Sequence, residues 1–231
     1  MCWDDANCLV AIAGAGAIPP LVQLLGPGST AHVQEVAAVA LGTLVQNPTN
    51  AVTIAAAGAI PPLVQLLGPG STADVQRNAA AALVCLAQNA DNQVTIAAAG
   101  AIPPPVQLLG PGFAADVQKA AAAALKFLGE NADNAVTIAA AGAIPALVML
   151  PGSGFAADVQ KATAVVLGCL AQNANNKVTI AAAGAIPLLV QLAQPGSAAA
   201  KLTQDVATAV LRDLGKGNAD NRAAVAALIR D

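Results

Sequence analysis

A repeat of 42 residues constrains this chain more than any other feature of its sequence. The tetrapeptide Gly-Ala-Ile-Pro occurs five times at this interval, beginning at Gly16, Gly58, Gly100, Gly142 and Gly184. A unit of this kind can bury its apolar face only against its neighbours, so the copies must stack in a line. We therefore expect residues 1–231 to form one elongated domain.

Each repeat predicts three helices, most clearly from Asn92 to Ala124. Asn92 is expected to cap a short first helix over Val94 to Ala99, because its side-chain oxygen can accept from the amides of the first turn. Gly100 ends that helix, since glycine can take the positive φ of a helix C-terminus. Pro103 suits the first turn of a second helix, where its missing N–H costs nothing.

A longer third helix follows the breaker Gly-Pro-Gly at 110–112. Its start is predicted near Ala115, and in the second repeat Ser71 precedes Asp74 at the spacing of a capping box, with Asp in place of Glu. The apolar positions that follow fall at helical spacing. The sequence thus predicts an all-α chain of five such repeats and one further helix, over Ala223 to Arg230.

The period, the helix pattern, the core sequence NxVTIAAAGAIPPLVQLL and the Ala/Leu-rich third helix resemble those of armadillo repeats over nearly the whole chain. The resemblance implies a right-handed α-solenoid of five three-helix repeats plus a C-terminal helix. It also implies binding of other proteins, often as extended segments that lie in the groove lined by the third helices.

Peptide-binding members of that family carry a Trp on the third helix and, four residues later, an Asn that holds the backbone of the partner. The first position is here occupied by Val39, Ala81, Ala123, Val165 and Ala209. The second is occupied by Thr43, Cys85, Phe127, Cys169 and Asp213. Cys and Phe cannot both donate to and accept from a peptide backbone as Asn does. The resemblance therefore implies a smooth apolar channel near Phe127, with the five residues of the second position as candidate partner contacts.

Two aromatic residues, Phe113 and Phe155, replace Ser71 just before the third helices of the third and fourth repeats. They are expected on one edge of the solenoid, one layer apart, where paired rings could contact a partner. The alternative is that each ring packs as a staple onto its own helix. The sequence leaves both interpretations open.

The chain lacks recognisable catalytic, cofactor-binding and metal-binding motifs. It has one His and no Tyr, and the patterns Gly-x-Ser-x-Gly, His-Glu-x-x-His and Gly-x-x-x-x-Gly-Lys are absent. Asp74, Asp116 and Asp158 recur one repeat apart at helix starts, too far apart for paired acid-base catalysis, and helix capping accounts for them. We expect no enzymatic activity and no cofactor.

Charged residues make up only 10% of the chain and hydrophobic residues 56%. A solenoid exposes more surface per residue than a sphere, so wide apolar areas are expected, and such areas mark interaction sites. The cations form no stripe that could neutralise a phosphate backbone, so a nucleic acid is not an expected partner. The longest apolar stretches are interrupted by Gly and Pro-Pro, so no transmembrane segment is expected.

Cys85 and Cys169 occupy equivalent places two repeats apart, on the order of 20 Å from each other. This is too far for a disulfide, and both are expected to act as small packing residues. Cys2 and Cys8 show no CxxC spacing. Reduced thiols favour an intracellular location, the cytoplasm first, with the nucleus or an organelle open if a targeting segment is missing from the sequence.

Three functions remain open from the sequence. We favour a non-catalytic interaction scaffold that binds another protein, as a peptide, a helix or a complex subunit, through a concave or otherwise apolar surface. The alternative is a structural subunit largely enclosed in a large multi-protein assembly. The third function, an enzyme or a carrier of apolar small molecules, is supported only by the expected apolar channel.

Overall fold

The computed structural model describes residues 6–150, 157–194 and 201–229, which contain sixteen helices and no strand. The helices form five successive triplets and one additional first helix, which confirms the predicted solenoid of five repeats. The first helices are α1 (Ala6–Gly14), α4 (Pro48–Ala56), α7 (Ala90–Ala98), α10 (Ala132–Ala140), α13 (Ala174–Ala182) and α16 (Ala219–Ile229). The second helices are α2 (Ile18–Leu24), α5 (Ile60–Gln65), α8 (Pro103–Leu108), α11 (Ala143–Met149) and α14 (Ala185–Ala193). The third helices are α3 (Ala31–Leu44), α6 (Ala73–Leu86), α9 (Ala115–Leu128), α12 (Ala157–Leu170) and α15 (Lys201–Gly215).

The first and second helices of a repeat meet at a sharp corner. The chain bends by 78° between α1 and α2, by 69° between α10 and α11 and by 86° between α13 and α14. The repeated glycine stands at every corner with a φ between 80° and 84°, a left-handed conformation that L side chains rarely adopt. None of the described helices could cross a membrane alone, and the same three bent pairs reach the necessary length and apolar composition only as pairs.

An asparagine caps the first helix of the third repeat, but it is not the predicted one. The side-chain oxygen of Asn89 accepts from the backbone amides of Asp91 at 3.0 Å and of Asn92 at 3.1 Å, and α7 begins at Ala90. The equivalent caps in other repeats are Asn47, Asn131 and Asn173. The prediction that Asn92 caps the helix is therefore wrong, because Asn92 lies within the first turn with only 5% of its surface exposed.

Buried asparagines instead join each repeat to the one before it. The Nδ2 group of Asn92 donates to the carbonyl of Leu86, at the end of α6, at 3.1 Å and to that of Ala51, in α4, at 3.4 Å. The bond to the preceding first helix recurs in the other repeats, at 3.1 to 3.5 Å. We call the five residues the asparagine ladder, and they are Asn50, Asn92, Asn134, Asn176 and Asn221.

The third helix of the second repeat is capped one residue later than predicted. The N-cap is Thr72 rather than Ser71, and its Oγ1 accepts from the amide of Val75 at 3.4 Å. Asp74 forms an ion pair with Arg77 at 3.1 Å. The predicted capping box is therefore wrong.

The core is one cluster of buried aliphatic residues that extends from Leu9 to Leu214. The third helices pack side by side in chain order, from α3 to α15. They approach closely where residues are small, since a Cβ added to Gly42 would lie 3.6 Å from the Cα of Ala82. The result is a layer of third helices with one side open to solvent, which we call the third-helix face.

Replacing Asn92 with Ala should lower the free energy of unfolding by about 1–3 kcal/mol, because two buried carbonyl groups lose a donor. Urea denaturation followed by circular dichroism measures this change. Asn175→Ala is the matched control, since Asn175 is exposed in the first turn of α13, and it should change stability by no more than about 0.5 kcal/mol. Equal stability of the two variants would contradict the role of the ladder.

Candidate partner-binding surface

The five predicted contact residues lie at equivalent places on the third-helix face. Four of them, Thr43, Cys85, Phe127 and Cys169, are the second-last residues of their helices, and Asp213 lies near the end of α15. All five side chains are half-buried. The positions four residues earlier are also accessible, and among them Val39 is 48% exposed. The third helices therefore bring both predicted rows to one accessible layer.

Phe127 is the only aromatic residue within the described third helices. Its ring packs against the core on one side. The ammonium of Lys126 lies 3.7 Å from the ring centroid, a cation-π contact, and also pairs with Glu130 at 2.6 Å. The ring is thus held in place while part of it stays accessible to a partner.

The two cysteines of the face are free, and their thiols are protonated. Burial raises the pKa of both the Cys85 and the Cys169 thiol, and the nearby carboxylate of Glu130 raises the pKa of Cys169 further. The Sγ of Cys169 donates to the carbonyl of Lys126, on the neighbouring third helix, at 3.5 Å. Both thiols are therefore neutral at physiological pH and behave as small apolar residues.

Phe113 lies in the loop before α9 and is 37% exposed. Its Cε2 would lie 3.9 Å from a Cβ added to Gly110, so the ring covers the loop that ends the second helix. Phe155 lies outside the described residues. A paired aromatic contact at this edge stays a prediction.

Ion pairs between neighbouring third helices were not predicted from the sequence. Arg77 Nη1 lies 2.9 Å from Asp116 Oδ2, and Lys119 Nζ lies 2.6 Å from Asp158 Oδ2. The Arg77 guanidinium lowers the pKa of Asp116, and the Lys119 ammonium lowers the pKa of Asp158. The interpretation of these acids as helix caps alone is therefore incomplete. Their spacing of 39 residues, one repeat less about one helical turn, is the signal that could have revealed them.

Each described carboxylate on or directly after a third helix has a polar or cationic partner. Asn78 donates to Glu35 at 3.3 Å, and the ammonium of Lys216 lies 2.6 Å from Asp213 and lowers the pKa of that carboxyl. The others are in ion pairs, and they are Asp74, Asp116, Glu130, Asp158 and Asp205. In the described ranges, three or more His, Cys, Asp or Glu side chains nowhere gather as a metal site would need. The face therefore presents apolar side chains and acids that are already engaged.

A second apolar row lies on the first helices and was also missed. Its members are 47% to 58% exposed and recur every 42 residues, and they are Val10, Val52, Val94, Val136 and Val178. We call them the valine row. The repeat period shows that these positions are equivalent, but it does not show which side of a short first helix is covered by its neighbours. That information comes only from the packed structure.

Comparisons with known proteins agree with this geometry. The family model of the Armadillo/beta-catenin-like repeat matches residues 5–46 and 47–87. A designed armadillo repeat protein of known structure is 29% identical, with 91% of this chain and 87% of that chain covered and a TM-score of 0.83. Another designed armadillo repeat protein, solved in complex with the peptide (KR)4, is 28% identical over 91% of this chain and 87% of its own, with a TM-score of 0.82. No curated protein matches the chain.

An engineered protein solved by a structural genomics consortium shows how far the similarity extends. It is 30% identical, the match covers 94% of this chain and 86% of that chain, and the TM-score is 0.86. The family model matches the first two repeats, and these solved structures extend the similarity over nearly the full length of the chain. The chain belongs to the armadillo repeat family.

Proposed function

We propose that the protein is a non-catalytic scaffold that binds a partner protein through its third-helix face. Armadillo repeats commonly mediate binding of proteins and peptides and are generally non-catalytic. One observation carries the proposal for this chain. Accessible apolar side chains run across consecutive third helices around Phe127, on a face whose carboxylates are already paired.

The pairing of these carboxylates favours an apolar partner over a basic one. The designed relative described above was solved with a lysine- and arginine-containing peptide. A peptide of that kind would have to compete with Arg77 for Asp116 and with Lys119 for Asp158. An apolar segment would displace water from the face and leave the ion pairs intact. An amphipathic helix with anchors at i, i+3 or i+4 and i+7 has this chemistry.

Binding would depend on side chains rather than on capture of the partner's backbone. The Thr43 hydroxyl already donates to the carbonyl of Val39 at 2.9 Å, and Asp213 accepts from Lys216. Cys85 and Phe127 offer no amide that could donate to and accept from a peptide bond. Shape and apolar area would therefore set the specificity.

The charge distribution supports a protein partner rather than a nucleic acid. Arg77, Lys119 and Lys126 are each paired with a carboxylate, whereas phosphate neutralisation needs several clustered and available cations. The free thiols of Cys85 and Cys169 support the proposal of a reducing, intracellular compartment, the cytoplasm first.

The valine row supports a second candidate function, a structural subunit enclosed in a larger assembly. It places exposed apolar side chains on the first helices as well as on the third. A chain that needs cover on both surfaces should self-associate when it is isolated. A monomer that stays stable on dilution in sedimentation velocity would contradict this second function.

Phe127→Asp should weaken binding of an apolar helical peptide, selected by phage display against the protein, by at least about tenfold, because it places a charge beneath the peptide. Fluorescence anisotropy measures the Kd. Ala81→Asp, at an exposed position of the same face, should act in the same direction with less effect on folding.

Gln107→Asp is the matched control, since Gln107 is exposed on α8 of the same repeat as Phe127. It should leave the Kd within about twofold of the wild-type value. Circular dichroism confirms that each variant is folded. Selected peptides that bind Phe127→Asp and Ala81→Asp as tightly as the wild type would remove the third-helix face as the binding site.

A bound peptide should also slow alkylation of Cys85 and Cys169 by iodoacetamide, because both thiols are partly accessible on the third-helix face. A scrambled version of the peptide is the control and should leave both rates unchanged. Mass spectrometry of the digested protein measures the two rates. Unchanged rates with a saturating amount of the selected peptide would contradict binding on the third-helix face.

A further inference from the structure

A cavity of about 770 Å³ lies at the C-terminal end of the described solenoid, among α14, α15 and α16. Its walls are mainly aliphatic, with Val190 and Ala193 from α14, Leu211 from α15 and Val225 and Ala226 from α16. None of the predicted partner contacts that the structure describes lines it, so it is separate from the surface around Phe127.

Two residues that line this cavity stand at positions where helices pack against each other in the earlier repeats. Val225 occupies the place of Ile54, Ile96, Ile138 and Ile180, each of which is 0% exposed beneath the helices of its neighbours. Thr208 occupies the place of Ala38, Ala80, Ala122 and Ala164, which are at most 1% exposed. In the earlier repeats a packed helix covers these positions, whereas Val225 is half-buried and Thr208 is exposed. A helix therefore fits the shape of the cavity.

The rim of the cavity is cationic. Arg212, Lys216 and Arg222 line it, and among the described residues no carboxylate does. Lys216 is paired with Asp213, but within the described part of the chain neither guanidinium takes part in an ion pair. The stem of Arg222 lies across the end of α15, since its Cγ would be 2.9 Å from a Cβ added to Gly215. Two cations beside an apolar wall favour an occupant that carries acidic side chains next to apolar ones.

The volume of the cavity is comparable with that of a short helix. A helix is about 10 Å across and rises about 1.5 Å per residue, so two turns fill roughly 800 Å³. The cavity of about 770 Å³ is open to solvent on one side, and its volume is close to that of the apolar half of a helix of about four turns. About 14 residues are therefore enough to span it.

We propose that this cavity binds a short amphipathic helix of another protein, whose apolar face enters between α14 and α16 and whose acidic flanks meet Arg212 and Arg222. The site goes beyond the function proposed for the third-helix face, and a solenoid with both could hold two partner segments at once.

Two labelled peptides of about 14 residues test this site. Both carry Leu at i, i+3, i+4 and i+7, and the remaining positions are Glu in one and Lys in the other. Fluorescence anisotropy should show that the wild-type chain binds the Glu peptide at least about tenfold more tightly than the Lys peptide. Equal binding of the two peptides, or no binding of the Glu peptide, would overturn the proposal.

Variants then locate the site. Ala226→Glu and Arg212→Glu should each weaken binding of the Glu peptide by at least about tenfold. Lys161→Glu, the same change of charge as Arg212→Glu at an exposed position on α12, should leave the Kd within about twofold of the wild-type value. Phe127→Asp should bind the Glu peptide with the wild-type affinity, which separates this site from the third-helix face. An equal loss in Lys161→Glu would overturn the proposal. A wild-type dimer in sedimentation equilibrium that becomes monomeric in Ala226→Glu would also overturn the proposal, because a second copy of the chain would then fill the cavity.

Discussion

A buried side-chain amide holds each repeat of this protein to the one before it. Apolar burial supplies most of the driving force for stacking, but it has no direction, and surfaces rich in Ala and Leu could slide past one another. The carboxamide of Asn92 must reach a carbonyl in α6 and another in α4 at the same time, so it fixes two distances at one junction. Stacking in one register is the condition under which positions 42 residues apart form continuous rows.

The functional surfaces follow from that register. A residue type that recurs in the repeat becomes a row, such as the valine row on the first helices. The distinctive chemistry comes from the places where the repeat changes. Phe127 puts one aromatic ring among small and aliphatic residues of the third-helix face, and Arg212 puts a guanidinium beside the terminal cavity. The same stack of repeats can therefore present two different surfaces. The third-helix face is apolar with paired carboxylates, and the rim of the terminal cavity is cationic.

Features decided by local conformation could be predicted from the sequence. The helix triplets and the positive φ of Gly100 depend on residues next to one another. Features that depend on which side of a helix is covered by its neighbours could not be predicted from the sequence. Asn89 and Asn92 both recur with the repeat and both suit a helix start, so the sequence does not show which caps and which is buried. The pairing of Arg77 with Asp116 and the terminal cavity likewise depend on the lateral packing of helices that are distant in sequence.

Hydrogen exchange of Asn134→Ala, followed by mass spectrometry, tests the central claim most directly, because Asn134 in α10 donates to Gln93 in α7 across one junction. If buried amides join the repeats, amide protection should fall in both α7 and α10 and remain at the wild-type level in α1, two repeats away from α7. Faster exchange confined to α10, or unchanged exchange throughout, would show that the repeats are held together without this bond.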